Sequence, residues 1–285
     1  MFRVGYAALF LPLIVQTYSE HINGPNCGKA MPFSRIVNGR KVLRDKMPWI
    51  VFVRTLFRLD ETSTTMFCSG SIVSHSYIVT ASHCLTLLHG GLPTSVVVYY
   101  NSSKTGDGPK VNVMRYARHP DFILAVYAND IAILQLEKPL KFDKFVSPVC
   151  LPRKPLNIAQ KRLLIAGWGQ TEEGGRDSEQ LRYITKKELP FKKCKPMLHR
   201  KAKMNLNESI VICTSARNKD ACMGDSGGPM TTWNKRGRSV LVGIVSFGYG
   251  CARDDEPSGY TRVATFVPWV LSTINHFQEA SSERN

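Results

Sequence analysis

The 285-residue sequence is short of acidic side chains and contains only one long apolar run. It has 22 Asp and Glu against 38 Lys and Arg, which gives a formal net charge of +16. The apolar run, residues 4–15, is interrupted by glycine, tyrosine and proline, and it is shorter than the roughly 20 residues of a membrane-spanning helix. Cysteine and histidine pairs at the close spacing of zinc modules are also missing. The sequence therefore predicts neither a membrane span nor a zinc-binding fold.

The amino-terminal segment and the cysteines both predict export from the cell. A basic residue followed by the apolar run is typical of a signal peptide over residues 1–19, cleaved between Val15 and Ser19. Eight cysteines suit an oxidising compartment, where we expect them to be paired. Many pairings are open to eight cysteines, and their spacing alone does not choose among them. Sequons at Asn101 and Asn207 predict glycosylation of exposed loops in a secreted, extracellular protein.

Short β-branched runs separated by turn residues predict an all-β barrel or sandwich protein. These runs are residues 49–53, 71–73, 77–79, 95–99, 131–136, 163–166 and 239–245. One helix is predicted near the carboxyl end, opened by Pro268 at its first turn. Its apolar side chains recur at helical spacing, at Val267, Val270, Leu271 and Ile274. The polar residues 278–285 are expected to fray.

Three separated segments carry the chemistry. In Gly224-Asp225-Ser226-Gly227-Gly228-Pro229, a serine among glycines can sit on a tight turn with its hydroxyl exposed. The amides of Gly224 and Ser226 can then converge on a hollow that holds an oxyanion. Upstream lie Thr80-Ala81-Ser82-His83-Cys84 and Asn129-Asp130-Ile131-Ala132-Ile133-Leu134. In the order His, Asp, Ser, this set resembles the chymotrypsin/trypsin family of serine proteases.

The resemblance covers about residues 36–277 and implies a fold and a catalytic triad. The fold is two six-stranded antiparallel β-barrels with a carboxyl-terminal α-helix, a barrel boundary near residues 145–150, and the active site between the barrels. The protease domain would be residues 36–285, after a short propeptide at 20–35. His83 would act as general base, Asp130 would orient it, and Ser226 would be the nucleophile.

The resemblance also implies activation by cleavage and a disulfide framework. Arg35-Ile36 is similar to the family's activation site, and the freed Ile36 amine would pair with Asp225 as a structural switch. The implied disulfides are Cys27–Cys150, Cys68–Cys84, Cys194–Cys213 and Cys222–Cys251.

Specificity for basic residues is implied by Asp220 at the base of the primary pocket. Ala221 beside it lacks the hydroxyl that helps to accommodate lysine, so arginine is favoured. The rest of the implied substrate-binding set is Tyr127, Ser246, Phe247, Gly248, Gly250 and Ser258. Ser246 and Gly248 would offer backbone hydrogen bonds to an extended substrate. Phe247 would form an aromatic wall, and Gly248 and Gly250 would leave the pocket entrance open. Tyr127 would narrow the neighbouring subsite. Ser258 stands where trypsin-like members have glycine, and its side chain is expected to crowd the pocket.

A run of basic residues surrounds Cys194, with only Glu188 to offset it. The run is Lys186, Lys187, Lys192, Lys193, Lys195, Arg200, Lys201 and Lys203. Such a field can recruit sulfated polysaccharide, anionic lipid or an acidic protein substrate, or it can simply keep the surface solvated. Nucleic acid is not an expected partner, because no recognition module is present. No cofactor or metal is predicted, since the loop 100–111 offers only Asp107 as a carboxylate.

These observations predict a secreted zymogen that becomes a monomeric serine endopeptidase cleaving after Arg, then Lys. Its expected partners are protein or peptide substrates, an activating protease, protease inhibitors and anionic polysaccharide. The alternative is a basic anion-binding protein on a protease scaffold with little catalysis. Digestion, a clotting or immune cascade and venom are all compatible with the sequence.

Overall fold

The computed structural model describes residues 22–30, 46–59, 62–87, 91–171, 174–202, 206–215, 224–248 and 256–282. Several predicted features lie outside these residues. They are the signal peptide, the activation site Arg35-Ile36, the pocket residues Asp220, Ala221 and Gly250, Lys203, and the Cys222–Cys251 pair.

The first half of the chain folds into a closed, six-stranded antiparallel barrel in the order β1-β2-β3-β6-β5-β4. Its strands are β1 (Ile50–Leu59), β2 (Thr62–Ile72), β3 (Tyr77–Thr80), β4 (Pro93–Tyr99), β5 (Lys110–Arg118) and β6 (Ala132–Leu136). Strands β3 and β6 are buried along their whole length, which explains their continuous apolar sequences. Strand β5 alternates exposed and half-buried residues over much of its length, so its sequence shows no apolar run.

The second half forms a six-stranded antiparallel sheet in the order β8-β7-β10-β11-β12-β9. Its strands are β7 (Leu163–Gly167), β8 (Arg182–Lys186), β9 (Val211–Ser215), β10 (Pro229–Trp233), β11 (Ser239–Phe247) and β12 (Pro257–Arg262). The two outer strands approach each other just beyond β8, where Glu188 bridges to Thr214. There the Leu189 amide also donates a hydrogen bond to the Cys213 carbonyl at 2.8 Å. The all-β prediction with two six-stranded barrels is confirmed.

The carboxyl-terminal helix, α2 (Val263–Ser282), corrects two predictions. It begins upstream of Pro268, so this proline lies inside the helix and not in its first turn. Its buried side chains are Val263, Phe266, Val270, Ile274 and Phe277, whereas Leu271 is 38% exposed. Packing of this face sustains the helix despite the hydrogen bond that Pro268 cannot donate. Fraying beyond Phe277 was also a wrong prediction for residues 278–282, because Arg115 donates a hydrogen bond to Ser281 and holds the last turn.

A second α-helix, α1 (Phe191–Ala202), was not predicted. It buries only Cys194 and Leu198 among the side chains the structure describes, and it contains Pro196. A disulfide joins Cys194 to Cys213 of β9. The described residues form two further disulfides, Cys27–Cys150 and Cys68–Cys84, and all three pairs agree with the implied framework. Within the described residues, no helix has the length and hydropathy to cross a membrane.

Candidate active site

His83 and Asp130 form a doubly hydrogen-bonded pair at the edge of the first barrel. The His83 Nδ1 lies 2.7 Å from Asp130 Oδ2, and the His83 backbone N–H donates to Asp130 Oδ1 at 2.9 Å. Asp130 is completely buried, so its carboxylate needs these partners. A proton held on Nδ1 by the carboxylate leaves Nε2 as the basic nitrogen facing the cleft.

The second barrel supplies further partners to the same aspartate. The Ser246 hydroxyl of β11 donates to Asp130 Oδ2 at 2.5 Å, and the Thr261 hydroxyl of β12 donates to the Asp130 carbonyl at 2.7 Å. Both serine and threonine are buried. Asp130 is therefore fixed by both barrels. Sequence reasoning named Ser246 only for its backbone and missed Thr261, because neither contact has a local sequence signal.

The short helix that carries His83 is anchored from several sides. It is a 3-10 helix, Ser82–Leu85, braced by the Cys68–Cys84 disulfide. The buried Ser82 hydroxyl donates to the Ile131 carbonyl at 2.6 Å, next to Asp130 in the chain. The Thr86 hydroxyl donates to the Ser82 carbonyl at 2.9 Å. These bonds couple the position of the imidazole to that of the carboxylate.

Ser226 lies on a turn that only glycine can complete. Gly227 has a φ of +75°, and a Cβ there would lie 2.2 Å from Thr80 Oγ1 and 2.4 Å from the Ser69 carbonyl oxygen. The close approach lets the Ser69 amide of β2 donate to the Ser226 carbonyl at 2.7 Å. The Gly227 amide donates to the Val245 carbonyl at 2.9 Å. The turn is thus clamped between the two barrels through its backbone.

The two amides predicted to hold an oxyanion, those of Gly224 and Ser226, donate no hydrogen bond within the part of the chain that the structure describes. Gly224 has a φ of +93°, and a Cβ on it would lie 2.9 Å from Gly169 Cα. Among the described residues, no hydrogen bond joins Ser226 Oγ to His83 Nε2. A hydrogen bond between a nucleophile and its base often tightens only when substrate is bound.

Asp225, next to the serine, is half-buried. Its Oδ1 accepts a hydrogen bond from the Gly169 amide at 2.8 Å. A Cβ on Gly167 would lie 2.1 Å from this oxygen, so glycine is needed where the carboxylate packs.

An aromatic wall borders the site beside His83. The Tyr127 ring lies 5.4 Å from the His83 ring and 5.9 Å from the Phe247 ring. Burial, with a smaller contribution from the charge of Asp130, raises the pKa of Tyr127 above its usual value, so this phenol stays neutral at physiological pH. Phe247 packs over Gly259 of β12, where a Cβ would lie 2.1 Å from Cζ of the ring. The contact between Phe247 and Gly259 was not predicted.

The remaining predicted substrate residues line up along β11 and β12. Ser258 is 2% exposed and pairs with Thr214, while Gly259 pairs with Cys213. Because side chains alternate along a strand, Ser258 lies on the face opposite to Phe247 and Gly259. Gly248 is exposed directly after β11.

The structure offers no thiolate metal site at the one cluster of ligand-type residues in its described part. Cys68, His83 and Cys84 converge there, but both sulfurs belong to a disulfide. The sequons lie outside the strands. Asn207 is exposed between α1 and β9, whereas Asn101 is half-buried after β4, with its side-chain oxygen buried.

Comparison with known proteins identifies one family and relatives from it. The family described as Trypsin matches residues 36–270 of this chain. The serine proteinase stubble of Drosophila melanogaster is 32% identical over 250 residues, which cover 86% of this chain and 32% of that protein. The proclotting enzyme of Tachypleus tridentatus is 32% identical over 251 residues, covering 83% of this chain and 65% of that protein. The chain thus spans less than two thirds of either relative.

Proposed function

The chain belongs to the trypsin family, and from that premise we propose that it is a serine endopeptidase that is secreted as a zymogen and cleaves after Arg, then Lys. The observation that carries the proposal is the His83–Asp130 pair placed beside the glycine turn of Ser226. Secretion is supported by the disulfides, which persist in oxidising compartments. The sequons and the predicted signal peptide fit the same export route.

In this proposal Ser226 Oγ attacks the carbonyl carbon of the scissile bond while His83 Nε2 takes its proton. Asp130 keeps the proton on Nδ1 and stabilises the imidazolium that forms. The free amides of Gly224 and Ser226 receive the oxyanion. His83 then protonates the leaving amine, and water hydrolyses the acyl-enzyme by the same route. Phe247 and Tyr127 would contact substrate residues before the scissile bond.

Activation would follow cleavage after Arg35. The new Ile36 amine would compete for Asp225, whose Oδ1 accepts from the Gly169 amide in the uncleaved chain. An ion pair withdrawn from water is favourable only with good geometry, so its formation would act as a two-state switch for the Ser226 turn. The Cys27–Cys150 disulfide spans the cleavage point and would keep the propeptide attached.

Arginine specificity rests on Asp220 and Ala221, with Ser258 as the departure from the family's glycine. The decisive experiment is to cleave the purified protein after Arg35 and compare hydrolysis of peptide amides with Arg, Lys, Phe or Val before the scissile bond. We expect the order Arg, then Lys, with little turnover of Phe or Val. A preference for Phe or Val would overturn the pocket assignment.

A second measurement tests the mechanism independently of specificity. An active-site serine reagent should label Ser226 in the cleaved protein and not in Ser226→Ala. Any biological activity that survives Ser226→Ala would not depend on proteolysis and would favour the anion-binding alternative. Loss of all peptide hydrolysis in that variant would assign the activity to this serine.

A further inference from the structure

The exposed side of α1 is a dense basic surface that the proposed chemistry does not use. Lys192, Lys193, Lys195, His199 and Arg200 are all exposed, and together they form what we call the basic face. Their helical spacing places Lys192, Lys195 and His199 in one row and Lys193 and Arg200 in the adjacent row. Cys194 and Leu198 occupy the opposite, buried side. The basic face therefore points away from the protein body.

None of these five side chains has a hydrogen-bond or ion-pair partner among the residues that the structure describes. They take part in none of the ion pairs or side-chain hydrogen bonds of the described residues. Glu188, the one acid in the run, is bonded instead to Arg262 at 3.1 Å. Lys186, at the end of β8, donates to the Ser215 carbonyl at 2.7 Å and does not belong to the face. The carboxylates of the described residues consequently do not neutralise the basic face.

The charge is also unfavourable for α1 itself. The helix has no acidic residue in its first turn, where Lys192 and Lys193 lie against the positive end of the helix dipole. Lys192 and Lys195 are three residues apart, a spacing at which like charges repel. An arrangement that weakens the free helix is stabilised when an anion binds across it.

The basic surface continues beyond the start of α1. Arg162 and Lys187, both exposed, line a cleft with a volume of about 560 Å³. Glu188, which is paired with Arg262, lines the same cleft. The chain runs from Lys187 through Pro190, whose carbonyl accepts the first hydrogen bonds of α1, directly into the basic face. A helix side and an adjoining cleft make an elongated track of positive charge.

We propose that this track, the basic face with Arg162 and Lys187, binds a linear sulfated polysaccharide. A flexible linear polyanion can follow the helix and enter the cleft, which a flat bilayer cannot do. Insertion of α1 into a membrane would need its apolar side chains, but Cys194 is bonded to Cys213 and Leu198 is buried. The disulfides place the protein where sulfated polysaccharides occur and nucleic acids are scarce.

The track is separate from the substrate cleft. The buried side of α1 packs in a cluster with Tyr127 and Phe247, and the basic face lies on the other side of the helix. Polysaccharide bound there would leave Ser226 accessible. The inference goes beyond the proposed peptidase activity and does not depend on it, but the choice of polysaccharide rests on the proposed secretion.

The test compares two variants of equal charge, using heparin as the probe. Lys192→Gln/Lys193→Gln/Lys195→Gln removes three charges from the basic face and keeps helix propensity. The control, Lys138→Gln/Lys141→Gln/Lys154→Gln, removes three exposed charges elsewhere. At physiological salt we expect the first variant to lose about tenfold or more in affinity for heparin and the control about threefold at most. Only lysines that contact the polyanion release its counterions, and the control lysines lie away from the proposed track.

Three further measurements on the variants keep the proposal falsifiable. Arg162→Gln/Lys187→Gln, outside α1, should also weaken heparin binding, and circular dichroism should show every variant folded. Hydrolysis of a small peptide amide should be unchanged in both triple variants. Equal losses in the basic-face and control variants would overturn the proposal in favour of non-specific charge. Tighter binding of phosphatidylserine vesicles or duplex DNA than of heparin would overturn the choice of polysaccharide.

Discussion

His83 and Asp130 are held by side-chain hydrogen bonds, whereas Ser226 is held by the backbone of its glycine turn. The buried carboxylate of Asp130 accepts bonds from His83 and Ser246, and its carbonyl accepts one from Thr261. The Ser226 hydroxyl bonds to none of the described residues. One half of the site is thus fixed before substrate arrives.

The difference has a physical cause. A buried carboxylate is costly unless its oxygens are paired, so the His83–Asp130 half must be satisfied in the folded protein. A serine hydroxyl and two amides beside an open cleft can be satisfied by water or substrate. The serine half can therefore depend on a separate event, which we propose to be the capture of the Ile36 amine by Asp225. In this proposal, the general base and the switch are located in different barrels.

The largest expected effect comes from Asp130→Asn, which breaks the preassembled half. The amide cannot hold the proton on His83 Nδ1 or stabilise the imidazolium, so kcat should fall by about 10⁴-fold. Steady-state hydrolysis of an Arg peptide amide by the cleaved protein measures this. Asp107→Asn, at an exposed loop position, is the control and should retain full activity. A loss below tenfold would contradict the role given to Asp130.

Asp225→Asn tests the proposed ion pair with the Ile36 amine and should leave the His83–Asp130 pair intact. Asparagine can still accept the Gly169 amide bond but cannot pair with a charged amine. Losing a buried ion pair costs about 3–5 kcal/mol, which corresponds to roughly 200- to 5,000-fold less of the active form after cleavage. The measurement is peptide hydrolysis before and after cleavage at Arg35. If the variant gained as much activity on cleavage as the wild type, the switch would be located elsewhere.

Ser258→Gly sharpens the comparison at the pocket. If the serine side chain crowds a bound guanidinium, its removal should relieve roughly 1–3 kcal/mol and raise kcat/KM for Arg substrates. Lysine is thinner and should gain less, so the Arg-to-Lys ratio should increase. A fall in activity would instead indicate that the hydroxyl hydrogen-bonds the substrate. Equal kinetics for both proteins would show that Ser258 does not reach it.

The sequence predicted those parts of the fold and site that carry a local signal. Continuous β-branched runs correspond to buried strands such as β3, β6 and β7, and the glycine turn around Ser226 is present as expected. Strands β5 and β12 were not predicted. Strand β5 is exposed or half-buried along its length, and β12, although almost entirely buried, contains only one large apolar side chain, Tyr260.

Features created by tertiary contacts could not be predicted. The bonds from Ser246 and Thr261 to Asp130 span 116 and 131 residues of sequence. Helix α1 is stabilised by a disulfide and buries two side chains, which are too few to produce a periodic apolar pattern in the sequence. Pro196 in its middle also favoured a non-helical prediction. Helix α2 shows the reverse case, because packing extends a helix across Pro268 and beyond the last predicted turn.

Ser82→Ala should give the smallest effect, in the half that is already fixed. The family usually has alanine here, but in this chain the Ser82 hydroxyl donates to the Ile131 carbonyl at 2.6 Å. Losing one buried hydrogen bond should destabilise the protein by about 1 kcal/mol and lower kcat only a few-fold, since Asp130 and His83 remain bonded. Thermal unfolding and peptide hydrolysis measure the two effects.

Ser71→Ala is the matched control for this last prediction. Ser71 is also buried in the first barrel, at 1% exposure, but its hydroxyl has no hydrogen-bond partner in the described structure. Removing an unpaired buried hydroxyl relieves a desolvation penalty, so this variant should be neutral or slightly more stable. Equal stability changes in the two variants would mean that the Ser82 bond adds nothing to the fixed half. A clear loss in Ser82→Ala alone would show that this bond stabilises the link between the histidine and aspartate segments.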